Sequence, residues 1–259
     1  MSRQVDKKAE SACVHAGHRD RVREKYNAGG LDGFADHEVL ELLLFYANKR
    51  GDTNPVAHRL MERFGSLSAV FEASYDDLVS VDGIGDSAAT LITMVPQLFR
   101  RYSADKVDKV KTISGFDDAK AFLVPRFFGL RNERVGIICL DTQGRINNFI
   151  FISDGSLKLA QIDIRKVAQL SLQNNADSII IAHNHPGGFA SPSRNDVETT
   201  KAFVNALSLI NIRVADHIII SDEDAFSMAS NPRFAPVFMA ASAGSSSSIG
   251  FSMVQDNEK

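Results

Sequence analysis

Two imidazoles, a hydroxyl and a carboxylate share one short stretch, His183-Asn184-His185-Pro186-Gly187-Gly188-Phe189-Ala190-Ser191-Pro192-Ser193-Arg194-Asn195-Asp196. His183 and His185 offer neutral nitrogen donors and Asp196 an anionic oxygen. That donor set suits Zn²⁺ with a fourth position left to water, the layout of an open hydrolytic site. Fe²⁺, Co²⁺ or Mn²⁺ would accept the same donors. Each part also has an ordinary reading: paired His residues in a loop are common in polar surface turns, and Ser193 with Asp196 has the capping-box spacing of any helix. Their conjunction favours one zinc ion per chain. Ser193 can hold the helix start and still aim its hydroxyl at an activated water.

The elements needed to position these groups are legible around them. Asp177-Ser178-Ile179-Ile180-Ile181-Ala182 is short, apolar and β-branched, a buried strand that delivers the histidines at its carboxyl end. Residues two apart on a strand share a face, so both rings can reach one ion. Pro186, Gly187 and Gly188 end the strand and allow a sharp turn. A helix then starts at Ser193-Arg194-Asn195-Asp196, with Val197, Ala202, Phe203, Ala206 and Leu207 on its apolar face. Asp196 falls in its first turn.

Hydrolysis also needs a general base that does not ligate the metal. Glu133 is the candidate, just ahead of an apolar strand from Val135 to Asp141; Thr142-Gln143-Gly144-Arg145 is the hairpin turn and Ile146 to Ile152 the return strand. By itself, a Glu at a strand start is equally a solvated edge residue.

The spacing His-x-His, seven residues, Ser, two residues, Asp resembles the signature of the JAMM (MPN-type) metalloproteases, and most closely that of the bacterial RadC family. The resemblance extends to Gly17-His18-Arg19, Asp36-His37-Glu38-Val39-Leu40-Glu41-Leu42-Leu43-Leu44, Asp52-Thr53-Asn54-Pro55 and Arg63-Phe64-Gly65-Ser66-Leu67. It implies that His183, His185 and Asp196 are the metal ligands, Glu133 the base and Ser193 the residue that stabilises a tetrahedral oxyanion. Gly187 stands where the family more often has Ser, and the chain from Asn231 onward is unlike the family's usual close.

The resemblance and the element pattern together give an α/β fold, a mixed sheet flanked by helices of the JAMM/MPN kind and similar to the cytidine-deaminase-like fold, preceded by a small all-α domain. Residues 1–16 are expected to be flexible and 17–102 helical. Residues 103–112 form a charged linker, 113–235 the hydrolase domain, and 236–259 a Ser-rich tail too small and polar to build a core. In the helical part Asp36 can cap one helix and Asn54-Pro55 start another. Val81-Asp82-Gly83-Ile84-Gly85 resembles a helix-hairpin-helix turn, in which Gly83, Ile84 and Gly85 would offer backbone N–H groups to a DNA phosphate. Against this, Asp82 and Asp86 flank the turn and the net charge is -3, without the basic run that supplies non-specific DNA affinity. In the second domain a helix is expected at 117–123, another at 163–174 and a last strong strand at 212–220. Its His217 either orients a metal ligand or is a structural hydrogen-bonding residue.

Composition, with 44% hydrophobic and 24% charged residues, permits a full core. No apolar run reaches the roughly 20 residues of a membrane span, and Met1 to Lys8 lacks a secretory h-region, so the cytoplasm is expected and no membrane partner. Cys13 and Cys139 are no disulfide framework.

These features point to a zinc-dependent hydrolase, with a peptide or isopeptide as the substrate class the resemblance implies. The alternatives are a metal-dependent nuclease, a DNA-repair-associated accessory protein that binds DNA through its helical part, and a metal-free assembly module. A purely structural zinc site would be closed by a fourth protein ligand and would need neither Glu133 nor Ser193.

Overall fold

Apolar residues at helical spacing organise the first part of the chain. The computed structural model describes residues 17–48, 50–107, 111–152, 162–221 and 224–239. Cys13 and the expected flexible start, part of the expected linker (108–110), and residues 240–259 of the expected tail lie outside these. The chain divides into two compact units, Met1–Phe99 and Arg100–Lys259.

The first unit is helical: α1 (His18–Gly29), α2 (Asp36–Ala47), α3 (Asn54–Phe64), α4 (Leu67–Glu72), α5 (Tyr75–Val79) and the start of α6 (Asp86–Val107). Leu40 and Leu44 of α2, Val56 and Leu60 of α3, and Ala88 and Ile92 of α6 lie one turn apart and are buried in one core. Each fully buried Leu or Ile there contributes about 2 kcal/mol. Ser66 and Ser74 cap α4 and α5 by accepting from the N–H groups of Ala69 and Asp77. Asp36 does not cap α2: Ala35 is the N-cap, and its N–H donates to Glu38 Oε2 at 2.9 Å. Buried Glu41 joins three helices, with His18 Nε2 2.8 Å from one oxygen and Asn54 Nδ2 donating to the other at 3.0 Å. The stretch 103–107, expected as linker, continues α6 as helix.

The second unit is a five-stranded mixed sheet in the order β2-β1-β3-β4-β5. Its strands are β1 (Val135–Leu140), β2 (Ile146–Phe151), β3 (Ser178–Asn184), β4 (Arg213–Ser221) and β5 (Asp224–Ser227). Its helices beyond α6 are α7 (Phe116–Phe127), α8 (Ile164–Gln173), α9 (Arg194–Ser208) and α10 (Pro236–Met239). The neighbours of β1 are both antiparallel to it, β3 and β4 are parallel with α9 between them in the chain, and β5 is antiparallel to β4.

Period-two alternation sorts the strands into two cores. Val135, Ile137, Cys139, Ile179 and Ile181 pack with Val167 of α8 and Phe203, Val204 and Leu207 of α9. Ile138, Leu140, Ile180, Ala182, Ile218 and Ile220 pack with Phe122, Leu123 and Phe127 of α7 on the other face. Both faces of β1 and β3 are buried, which explains their continuous apolar runs. Truncating fully buried Phe203 to Ala would cost about 3–5 kcal/mol.

The expected strands and helices of this domain are present, with shifted ends. β3 continues through His183 and Asn184, and the expected tail begins with the helical turn α10, whose Val237 is buried. Among the described residues, no helix is long and apolar enough to cross a membrane.

Candidate metal centre

Odd-numbered residues of β3 face α9, so the alternation that buries Ile179 and Ile181 sends His183 to the same side. His185 keeps that phase beyond the strand, its N–H donating to Ile220 O at 2.8 Å. The chain then turns: Gly187 has φ 66° and Gly188 N–H donates to His185 O at 3.1 Å. A residue with a Cβ at that φ would add roughly 1 kcal/mol of strain, which suits glycine at Gly187.

The turn delivers the start of α9. Ser193 is its N-cap: Ser193 Oγ accepts from Asp196 N–H at 3.1 Å, and Asp196 Oδ2 accepts from Ser193 N–H at 2.7 Å. This reciprocal box fixes the Asp196 rotamer. Asp196 Oδ1 lies 3.4 Å from His183 Nε2, its Oδ2 3.6 Å from His185 Nε2, and the two Nε2 atoms are 2.8 Å apart. Donors around a tetrahedral zinc, each about 2.0–2.1 Å from the ion, are about 3.4 Å from one another. The carboxylate distances fit that geometry, and the two rings need to part by only about half an ångström. Among the described residues, no other cluster of three or more His, Cys, Asp or Glu residues could hold an ion.

The protonation pattern points the same way. Fully buried His217 has Nε2 2.8 Å from His183 Nδ1 and Nδ1 2.6 Å from Thr200 Oγ1. Thr200 spends its one proton on Asp196 O at 2.5 Å. His217 Nδ1 must therefore donate to Thr200, which leaves His217 Nε2 to accept from His183 Nδ1–H. On the other ring, His185 Nδ1 lies 3.2 Å from Phe189 O, an acceptor that takes an N–H. Both Nε2 lone pairs then converge on each other and on a carboxylate, an arrangement that calls for a cation. Burial pushes the His183 imidazole down to about 4 against the opposing pull of Asp196, so the ring is neutral and able to ligate near pH 7. Burial, then the two neighbouring imidazoles, also holds His217 well below the ordinary imidazole range.

β4, which carries His217, is anchored from below. Asp216 accepts from its neighbour His217 N–H at 2.7 Å, Ala229 N–H at 2.9 Å and Ser227 Oγ at 2.6 Å. Burial raises its carboxyl above the ordinary range, and these hydrogen bonds oppose the rise.

Glu133 precedes β1 and is half-buried. Val135 pairs with His183, and Asn184 N–H donates to Arg134 O at 3.4 Å. Continuing this antiparallel register by one residue sets Glu133 opposite His185, on the face shared by Val135 and His183. Asn184, between the two histidines, points to the opposite face. Its Nδ2 donates to Leu130 O at 3.3 Å and Asn132 O at 3.2 Å, and its Oδ1 accepts from Arg134 N–H at 2.8 Å. One side chain thus spans the whole segment carrying Glu133.

The fold brings His183, His185, Asp196 and Ser193 together and sets Glu133 at the same end of the sheet. Gly83, Ile84 and Gly85 belong to the helical unit, where Ile84 is buried in the core. Sequence reasoning missed Asn184 and Thr200. The available signals were an amide alternating with two ligands on one strand, and a hydroxyl one helical turn beyond Asp196.

A mixed sheet whose central strand ends in His-x-His, facing a Ser-x-x-Asp helix start, defines a domain of the JAB (JAMM/MPN) type. The domain profile described as the RadC-like JAB domain matches residues 113–233, and the chain belongs to the RadC family. It is 34% identical to a UPF0758 protein of Fusobacterium nucleatum, over 82% of this chain and 94% of that protein. A UPF0758 protein of Psychromonas ingrahamii is 34% identical over 82% of this chain and 95% of its own length. One from Saccharophagus degradans is 30% identical, covering 81% and 94%.

Proposed function

We propose that this chain is a zinc-dependent hydrolase that cleaves a peptide or isopeptide bond. The observation that carries the reading is the convergence of the His183 and His185 Nε2 lone pairs on the Asp196 carboxylate, with each ring's other nitrogen already committed. A divalent ion on these three residues would supply Lewis acidity, lowering the pKa of a water and polarising a carbonyl. Glu133 takes the proton from the attacking water and returns it to the leaving amine. The Ser193 hydroxyl, whose oxygen already accepts from Asp196 N–H, has its own proton free to donate to the developing oxyanion. The His217-Thr200 relay keeps the His183 tautomer fixed through both steps.

A DNA contact through Gly83, Ile84 and Gly85 is no part of this reading. Ile84 is in the helical core, Asp82 is paired with Arg59 at 3.6 Å, and Asp86 accepts from Tyr75 Oη at 2.9 Å.

Metal content and turnover test the two halves of the reading separately. Purified protein should carry about one zinc per chain, and His183→Ala/His185→Ala should carry none. Glu133→Gln should keep the metal and lose turnover on a peptide library. Loss of the ion in Glu133→Gln would make Glu133 a ligand, and no metal in the wild type after zinc is supplied would end the hydrolase reading.

A further inference from the structure

Beside the metal centre lies an open groove of 890 Å³ that shares Ser193 with it and is lined also by Arg194, Lys201, Phe226, Arg233 and Phe234. Three of these side chains are cations, and none of the described lining residues is a carboxylate. Lys201 is paired with Glu198 at 3.2 Å, whereas Arg194 and Arg233 have no ion pair among the described residues. Phe226 and Phe234 pack edge to face with centroids 5.9 Å apart, giving the groove a preformed apolar floor. Guanidinium groups on such a floor match carboxylates bidentately.

We infer that this groove holds the substrate chain and selects an extended peptide segment carrying acidic side chains. Phe226 stands on β5, the last strand in the sheet order, so the groove lies between the end of the sheet and the start of α9 at Ser193. The amide-hydrolase reading makes a peptide chain the occupant, and a lining of two arginines and a lysine, without a carboxylate among the described residues, selects acidic side chains on it. The inference rests on the amide-hydrolase reading for the position of the scissile bond, but the binding it describes needs no turnover.

The test is fluorescence anisotropy on full-length, zinc-loaded Glu133→Gln. The probes are two labelled peptides of about twelve residues with the same apolar positions, one bearing Glu and the other Lys at the rest, and a single-stranded oligonucleotide of equal length. The Glu peptide should bind at least about fivefold tighter than the Lys peptide. Arg233→Glu, remote from the ligands in sequence, should erase that preference with the zinc content unchanged, and Arg194→Gln should weaken it. Equal affinity for both peptides, unchanged preference in Arg233→Glu, tighter binding of the oligonucleotide, or no binding of any probe would overturn the inference. Glu-peptide preference in a protein whose wild type cleaves no peptide would sustain the groove and defeat the amide-hydrolase reading. Cleavage without charge preference would do the reverse.

Discussion

His183 Nδ1 stands 2.8 Å from His217 Nε2, both rings buried, so one histidine orients the other from beneath the site. Removing the partner frees the His183 ring to rotate and to change tautomer, and partners of this kind typically contribute 10–100-fold to metal affinity. His217→Ala should weaken zinc binding by about that range, read by competition with a chromophoric chelator. Thr200→Val, which leaves His217 in place but removes its acceptor, should give a smaller loss in the same direction. Wild-type affinity in His217→Ala would make the ring a packing residue only.

Asn184 is expected to act on Glu133 without touching the metal. Its amide makes three hydrogen bonds to the 130–134 segment. Asn184→Leu keeps the branched heavy-atom shape but leaves those backbone groups to find water, a cost of about 1–3 kcal/mol. Zinc stoichiometry should stay near one, while amide hydrogen exchange at residues 131–134 quickens and turnover falls at least about tenfold. Unchanged exchange in that segment would show that other contacts hold it.

The fold's order was readable because each strand announces itself: Ile179-Ile180-Ile181 is too short and too β-branched for a helix, and Gly144, with φ 75°, closes the hairpin before β2. His183, His185, Ser193 and Asp196 could be singled out because one strand, one turn and one helix start lie within a single stretch of chain. Glu133 is fifty positions earlier, and only the register of β1 on β3 sets it opposite His185. Thr200 and His217 meet across a helix and a strand, a pairing that no local pattern encodes. The helical run of α6 through 103–107 was obscured by charge: Asp105 and Lys106 read as linker, yet both are ordinary residues for a solvated helix face.

Two glycines of the helical hairpin should respond differently to the same change. Gly83 has φ 92°, and a Cβ there would come 2.7 Å from Val56 Cγ2, in the core of that unit. Gly85 would meet nothing within 4 Å and has no positive φ. Gly83→Ala should therefore destabilise by about 1–3 kcal/mol through strain and overpacking, and Gly85→Ala should be within about 0.5 kcal/mol of the wild type. Urea unfolding followed by circular dichroism measures both, and equal effects would mean that the turn is less constrained than its geometry implies.

Metal-free protein should lose stability as the pH falls below neutrality, earlier than carboxylate protonation alone would cause. His183, lowered to about 4 by burial, and His217, lowered well below 6.5, bind no proton in the fold where the unfolded chain does. The unfolded state thus holds more protons between about pH 6.5 and 4, so unfolding free energy declines with falling pH, by up to about 1.4 kcal/mol per unit for each ring. Asp216, raised by burial, has the opposite sign and flattens the acid end of the curve. Denaturant titrations of the chelator-treated protein at pH 7, 6 and 5 should give a loss of about 1–3 kcal/mol between pH 6.5 and 5. His217→Phe should reduce that slope, because one of the two neutral rings no longer titrates in the unfolded chain. A flat profile would mean that both imidazoles already carry protons in the fold, and the lone-pair convergence on Asp196 would then be filled by a proton rather than kept for a metal.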